Sequence, residues 1–100
     1  MPNLYVLAPN GEITHFPVEK EKITIGRSKD NDLVLLDGTV SRHHAEISKS
    51  TEGYILSDLG SYNKTCLNGT PITKALLQHG DKIQVGNTKL SFLLDSSIQD

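Results

Sequence analysis

The chain is a series of short apolar or alternating runs, each closed by turn residues. Leu4-Tyr5-Val6-Leu7 is followed by Pro9-Asn10-Gly11, then by Glu12-Ile13-Thr14-His15-Phe16, in which alternate positions are apolar. Successive strand side chains point to opposite faces, so this alternation is the mark of a half-buried strand. Asn-Gly between two such runs predicts a hairpin, because both residues tolerate the positive φ of a tight turn. Lys22-Ile23-Thr24-Ile25 predicts a further strand ending at Gly26, and the continuous run Leu33-Val34-Leu35-Leu36 predicts a buried one. Ala45-Glu46-Ile47-Ser48 alternates again, and Tyr54-Ile55-Leu56-Ser57 follows Glu52-Gly53. Asn68-Gly69 marks another turn, and residues 82–94, broken at Gly86-Asn87, read as a last hairpin. No segment keeps helical periodicity for three turns. Residues 71–77 allow one helical turn at most.

Many short strands with regular turn signals predict an all-β domain, a two-sheet β-sandwich or a barrel. A sandwich commits its strands to the core and leaves chemistry to the loops at its ends. The length of 100 residues suits one domain with one core. That core is expected over about residues 4–94, with a polar tail at 95–100 that frays. The net charge of −2 carries no basic run, which argues against a nucleic-acid partner. An anion held by this chain must be held by local geometry. A single cysteine, Cys66, excludes an internal disulfide. No stretch is long enough to span a membrane, and the short apolar start lacks a basic leader, so a cytoplasmic location and no membrane partner are expected.

Three loop segments concentrate polar chemistry. They are Gly26-Arg27 at a strand end, Ser41-Arg42-His43-His44 before a strand, and Asp58 to Thr65 leading towards Asn68-Gly69. A guanidinium offers a planar fork of donors to phosphate oxygens, and a serine hydroxyl donates without adding charge. An asparagine amide donates and accepts, and so can pair with an extended peptide backbone. Each residue has a plainer reading. Arg27 taken alone is a surface arginine, Ser41 a turn residue, and Arg42 a solvated charge or an ion-pair partner of Asp58 or Glu46. Neighbouring His43 and His44 on a strand point apart and do not share a metal, and Cys66, His15 and His79 lack ligand spacing. No metal or cofactor is therefore expected. Cys66 reads as a small core residue, and Asp58 and Asp81 as turn-securing residues.

The order and spacing of Gly26-Arg27, Ser41 with His44, Ser61-Tyr62-Asn63, Asn68-Gly69, Gly80-Asp81 and Gly86 resemble the forkhead-associated domain. The segment Asp30-Asn31-Asp32-Leu33-Val34-Leu35 resembles it too, so the likeness runs from about residue 4 to 94. The resemblance implies a β-sandwich whose apical loops bind phosphothreonine segments of partner proteins, with no catalysis. It implies that Arg27 grips the phosphate, that Ser41 donates to it, and that Arg42 adds a phosphate or peptide contact. Asn63 would bond the peptide backbone, and Tyr62 stands where the family usually has a threonine that binds phosphate. His44 would tie the binding loops together, Gly26 would admit a close backbone approach, and Asn68-Gly69 would shape a turn next to the site. Lys64 stands where the family usually has glycine. These two departures motivate an alternative, a phospho-independent interaction or scaffold domain of the same fold. A monomer is expected. The enzyme reading rests only on scattered Ser, His and Asp residues, with no nucleophile elbow or metal cluster.

Overall fold

A computed structural model describes residues 1–94. The expected tail at 95–100 lies outside the described residues. Among the described residues, eleven strands form two sheets. In chain order they are β1 (Asn3–Leu7), β2 (Ile13–Pro17), β3 (Lys22–Gly26), β4 (Leu33–Val34), β5 (Ala45–Ser50), β6 (Gly53–Asp58), β7 (Thr65–Leu67), β8 (Thr70–Ile72), β9 (Lys74–Leu76), β10 (Asp81–Val85) and β11 (Thr88–Leu93). One sheet has the order β2-β1-β11-β10-β7-β8, the other β4-β3-β5-β6-β9. All pairings are antiparallel except β3 with β4, where Ile25 stands opposite Leu33. The all-β two-sheet sandwich is thus the observed architecture.

The period-2 pattern sets the packing. Leu4 and Val6 of β1, Ile23 and Ile25 of β3, Ala45 and Ile47 of β5, Ile83 and Val85 of β10, and Leu90 and Phe92 of β11 all face the space between the sheets. The Tyr54 ring packs tilted on Phe92 at 5.9 Å between centroids. Burying each such aliphatic side chain contributes about 1.5–3 kcal/mol, and this seam holds the two sheets together. Val40, 1% exposed, closes the core at the end where the three polar loops gather.

Three local expectations differ from the structure. Residues 71–77 are extended, not helical. Ile72 ends β8 in one sheet and Lys74 starts β9 in the other, so the segment is a crossover pinned where Asp58 N donates to Thr73 O at 2.8 Å. The run at residues 33–36 gives only a two-residue strand. Leu33 and Leu35 are buried, but Leu36 is 87% exposed, because the chain turns there towards Asp37. In the β1–β2 connection only Gly11 has positive φ, at 92°. Asn10 instead accepts from Glu12 N through Oδ1 at 3.0 Å.

Candidate functional site

The loops after β3, before β5 and between β6 and β7 meet at one end of the sandwich. Arg27 follows the last residue of β3, and its backbone N–H donates to Ser41 O at 3.0 Å. Its Nε donates to Val40 O at 2.9 Å. That bond fixes the guanidinium plane and leaves both terminal nitrogens without a partner among the described residues. Arg27 is exposed, so its fork faces solvent.

Ser41 is half-buried, and its Oγ accepts from Tyr62 N at 3.0 Å. With that acceptor role filled by a backbone amide, the hydroxyl proton is free to point outwards to an oxyanion. Tyr62 itself is 89% exposed. Asn63 donates through Nδ2 to Thr39 O at 2.8 Å, which leaves its carbonyl oxygen open on the exposed side. Arg42 is exposed and forms no ion pair among the described residues. Its suggested partners are otherwise engaged: Glu46 lies 3.8 Å from Lys22, and Asp58 is held within its own loop.

His44 is fully buried under these loops. Its Nδ1 accepts from Ser41 N at 3.0 Å, and its Nε2 faces Lys64 O at 2.9 Å. An amide can only donate and a carbonyl can only accept, so the ring is the neutral tautomer with its proton on Nε2. One side chain thereby joins the loop before β5 to the loop before β7. Lys64 presents that carbonyl from a left-handed backbone, φ 69°. Gly26 is buried, and a Cβ there would strike the Arg42 carbonyl oxygen and stand 2.8 Å from Asn31 Nδ2. The bare backbone is what lets β3 approach the loop before β5 this closely.

Asn68 and Gly69 are not brought to this end. They form the β7–β8 turn with φ of 51° and 89°, at the opposite end of β7 from Lys64. Asn68 there bonds Asp81 at 3.0 Å and Lys82 N at 2.9 Å. The expected turn beside the site is therefore a turn at the far end of the strand. These bonds tie Asn68 to β10, at the end of β7 away from Lys64.

Two further residues shape the site. Asp37, 8% exposed, accepts from Thr39 N at 2.9 Å, Thr39 Oγ1 at 2.7 Å, Asn87 N at 3.0 Å and Thr88 Oγ1 at 2.9 Å. Burial works against its charge, but the bonds from Thr39, Thr88 and Asn87 outweigh burial and hold the carboxyl below the ordinary carboxylate range. Asp-Gly-Thr is a turn signature in the sequence, because an aspartate oxygen readily takes the amide two residues on. Asn31, 7% exposed, donates through Nδ2 to Ser28 O at 2.7 Å and Arg42 O at 2.8 Å, lacing the first two loops together. Its Oδ1 is buried without a partner among the described residues. Asp58 is held below the ordinary range in the same way as Asp37: burial opposes the charge, while bonds from Ser61, Thr65 and Gly60 overcome it.

The cluster is thus a fixed guanidinium fork, a hydroxyl with its proton free, an open amide and a flanking arginine on a rigid base. This donor set suits a phosphate ester on an extended chain. A family model described as FHA domain matches residues 23–86. The Oxoglutarate dehydrogenase inhibitor of Corynebacterium jeikeium is 40% identical over 80 residues, covering 80% of this chain and 56% of that protein. Glycogen accumulation regulator GarA of Mycobacterium tuberculosis is 38% identical over 80 residues, covering 80% and 49%. The chain thus spans about half the length of these relatives. Among solved structures, the FhaA FHA domain complexed with the intracellular domain of Rv3910 superposes with a TM-score of 0.82 at 29% identity, covering 92% of this chain and 99% of that one. EmbR of Mycobacterium tuberculosis in complex with a low affinity phosphopeptide gives 0.85 at 28% identity, covering 98% and 26%. With its sandwich, its loop residues and its sequence all in agreement, the chain belongs to the FHA, or forkhead-associated, domain family.

Proposed function

We propose that the loops carrying Arg27, Ser41, Arg42, Tyr62 and Asn63 capture phosphothreonine-containing segments of partner proteins. FHA domains are phosphothreonine-recognition modules, and the relatives named as inhibitor and regulators point to a binding module. The observation that carries the residue assignment is the state of Arg27 and Ser41. Arg27 is anchored through Nε with its fork free, and Ser41 is anchored through its lone pair with its proton free. Both are set to donate outwards before any ligand arrives, which lowers the ordering cost of binding. Asn63, held by Thr39, pairs with the peptide backbone beside the phosphate. The domain acts as a monomer without catalysis, cofactor, nucleic acid or membrane. No helix among the described residues is long and apolar enough to cross a membrane. A cytoplasmic location, where kinases supply the ligand, fits this reading.

Calorimetric titration of matched peptides carrying phosphothreonine, phosphoserine or unmodified threonine tests it. The phosphothreonine peptide binds and the unmodified one does not. Charge-assisted bonds contribute about 1.5–3 kcal/mol, so Arg27→Ala weakens binding by about tenfold or more. Equal binding of phosphorylated and plain peptides would favour the phospho-independent scaffold suggested by Tyr62 and Lys64.

A further inference from the structure

The six-stranded sheet has a second feature, built from residues outside the phosphate loops. Its outer face holds a groove of about 520 Å³ that includes Tyr5, Leu7, Ile13, Lys82 and Lys89 in its walls. The register makes the patch continuous. Leu7 stands opposite Ile13 on one side and Lys89 on the other, and Tyr5 stands opposite His15, on which its ring stacks at 4.8 Å. Leu7 is 41% and Ile13 70% exposed, on a face that an antiparallel sheet ordinarily gives to polar residues. Gly69, which does not reach the phosphate loops, opens one wall of the groove.

Charge identifies the occupant. Every charged side chain that the strand register places on this outer face, among the described residues, is a lysine: Lys82 and Lys89. The other sheet's outer face differs, since Glu46 there is paired with Lys22 at 3.8 Å. An apolar strip whose charged neighbours on this face, among the described residues, are both cations, in a chain of net charge −2, complements an acidic amphipathic segment. A second copy of this chain fits poorly, because a two-fold contact would set the lysines against each other with no carboxylate between them. Anionic lipid fits poorly too, since such surfaces are read by clusters of about four to eight basic residues.

We propose that the outer face of the β2-β1-β11-β10 sheet is a second docking surface, for an acidic amphipathic segment of a partner protein. None of the groove's wall residues belongs to the phosphate loops. A partner holding both a phosphothreonine and such a segment would gain from the two contacts together.

The test is an amide-resolved NMR titration of the domain with a short helical peptide that has leucines on one face and glutamates on the other. A counterpart with lysines for glutamates serves as the control. The acidic peptide is expected to shift amides of β1, β2, β10 and β11, and the basic one none. Lys82→Glu combined with Lys89→Glu weakens binding by about tenfold or more. Ile13→Ser, at an exposed position, weakens it without touching the core. Arg27→Ala leaves it unchanged, so a failure here is distinct from a failure of phosphopeptide binding. Shifts confined to the phosphate loops, equal response to both peptides, or no response at millimolar peptide would overturn the proposal. So would self-association through this face in sedimentation, or binding to phosphatidylglycerol vesicles that Lys82→Glu abolishes.

Discussion

Arg27 uses one donor, Nε, to hold its own plane against Val40 O, and this distinguishes it from a surface cation. A lysine keeps the charge but has neither the fork nor the anchoring donor. Arg27→Lys should therefore recover little of the affinity lost in Arg27→Ala, as titration with the phosphothreonine peptide would show. Gly26, one residue earlier, is a matter of space. A Cβ there meets the carbonyl of Arg42 and the Asn31 amide, and neither can yield without moving a loop of the site. Gly26→Ala should cost about 3 kcal/mol in urea unfolding and weaken peptide binding as well. Unchanged stability would mean that the two loops can separate without loss. Lys64 presents its carbonyl to His44 from φ 69°, a conformation that costs a side chain about 1–2 kcal/mol.

At the scale of elements, alternation and turn residues made most of the sandwich legible. β1, β3, β5, β6, β10 and β11 coincide closely with the alternating or β-branched runs, because a strand with one buried face must repeat every two residues. The segment from Pro71 to Leu77 was ambiguous, because two three-residue strands on either side of a crossover are too short to show a period. Leu36 misled for a related reason: an apolar run says nothing about where the chain turns. The site was legible as residues in order, but its scaffolding was not. Asp37 lies 50 residues from the Asn87 amide it accepts, and no local pattern encodes that contact. It suspends the loop before β5 and the β10–β11 turn from one carboxylate. Asp37→Asn would place an amide N–H₂ among donors and should cost about 2 kcal/mol. Hydrogen exchange should then quicken at Thr39 and Asn87 while the β5–β6 amides keep their protection. Uniform loss of protection would instead make Asp37 part of the global folding unit.

For the molecule as a whole, pH separates the fold from the ligand. Asp30, Asp32, Asp37 and Asp58 are all more acidic in the folded chain than their ordinary value of 3.8. For Asp32 the leading cause is the hydrogen bond from Lys20, and for Asp30 bonds from Ser28 and His43. As pH falls, the unfolded chain takes up these protons first. The stability they contribute is therefore complete above about pH 5 and drains away as pH drops through 3.8 towards the folded values. Phosphothreonine changes earlier, since its second ionisation lies near about pH 6. Between about pH 7.5 and pH 5 the peptide should therefore bind progressively more weakly, while thermal unfolding stays constant in its contribution from these aspartates. A difluoromethylene-phosphonate analogue, which stays dianionic at lower pH, resolves the remaining ambiguity. If its affinity is flat over the same range, the domain reads the second negative charge of the phosphate. If it weakens in step with the phosphopeptide, the loss arises in the protein and not in the phosphate, and recognition of the second negative charge is ruled out.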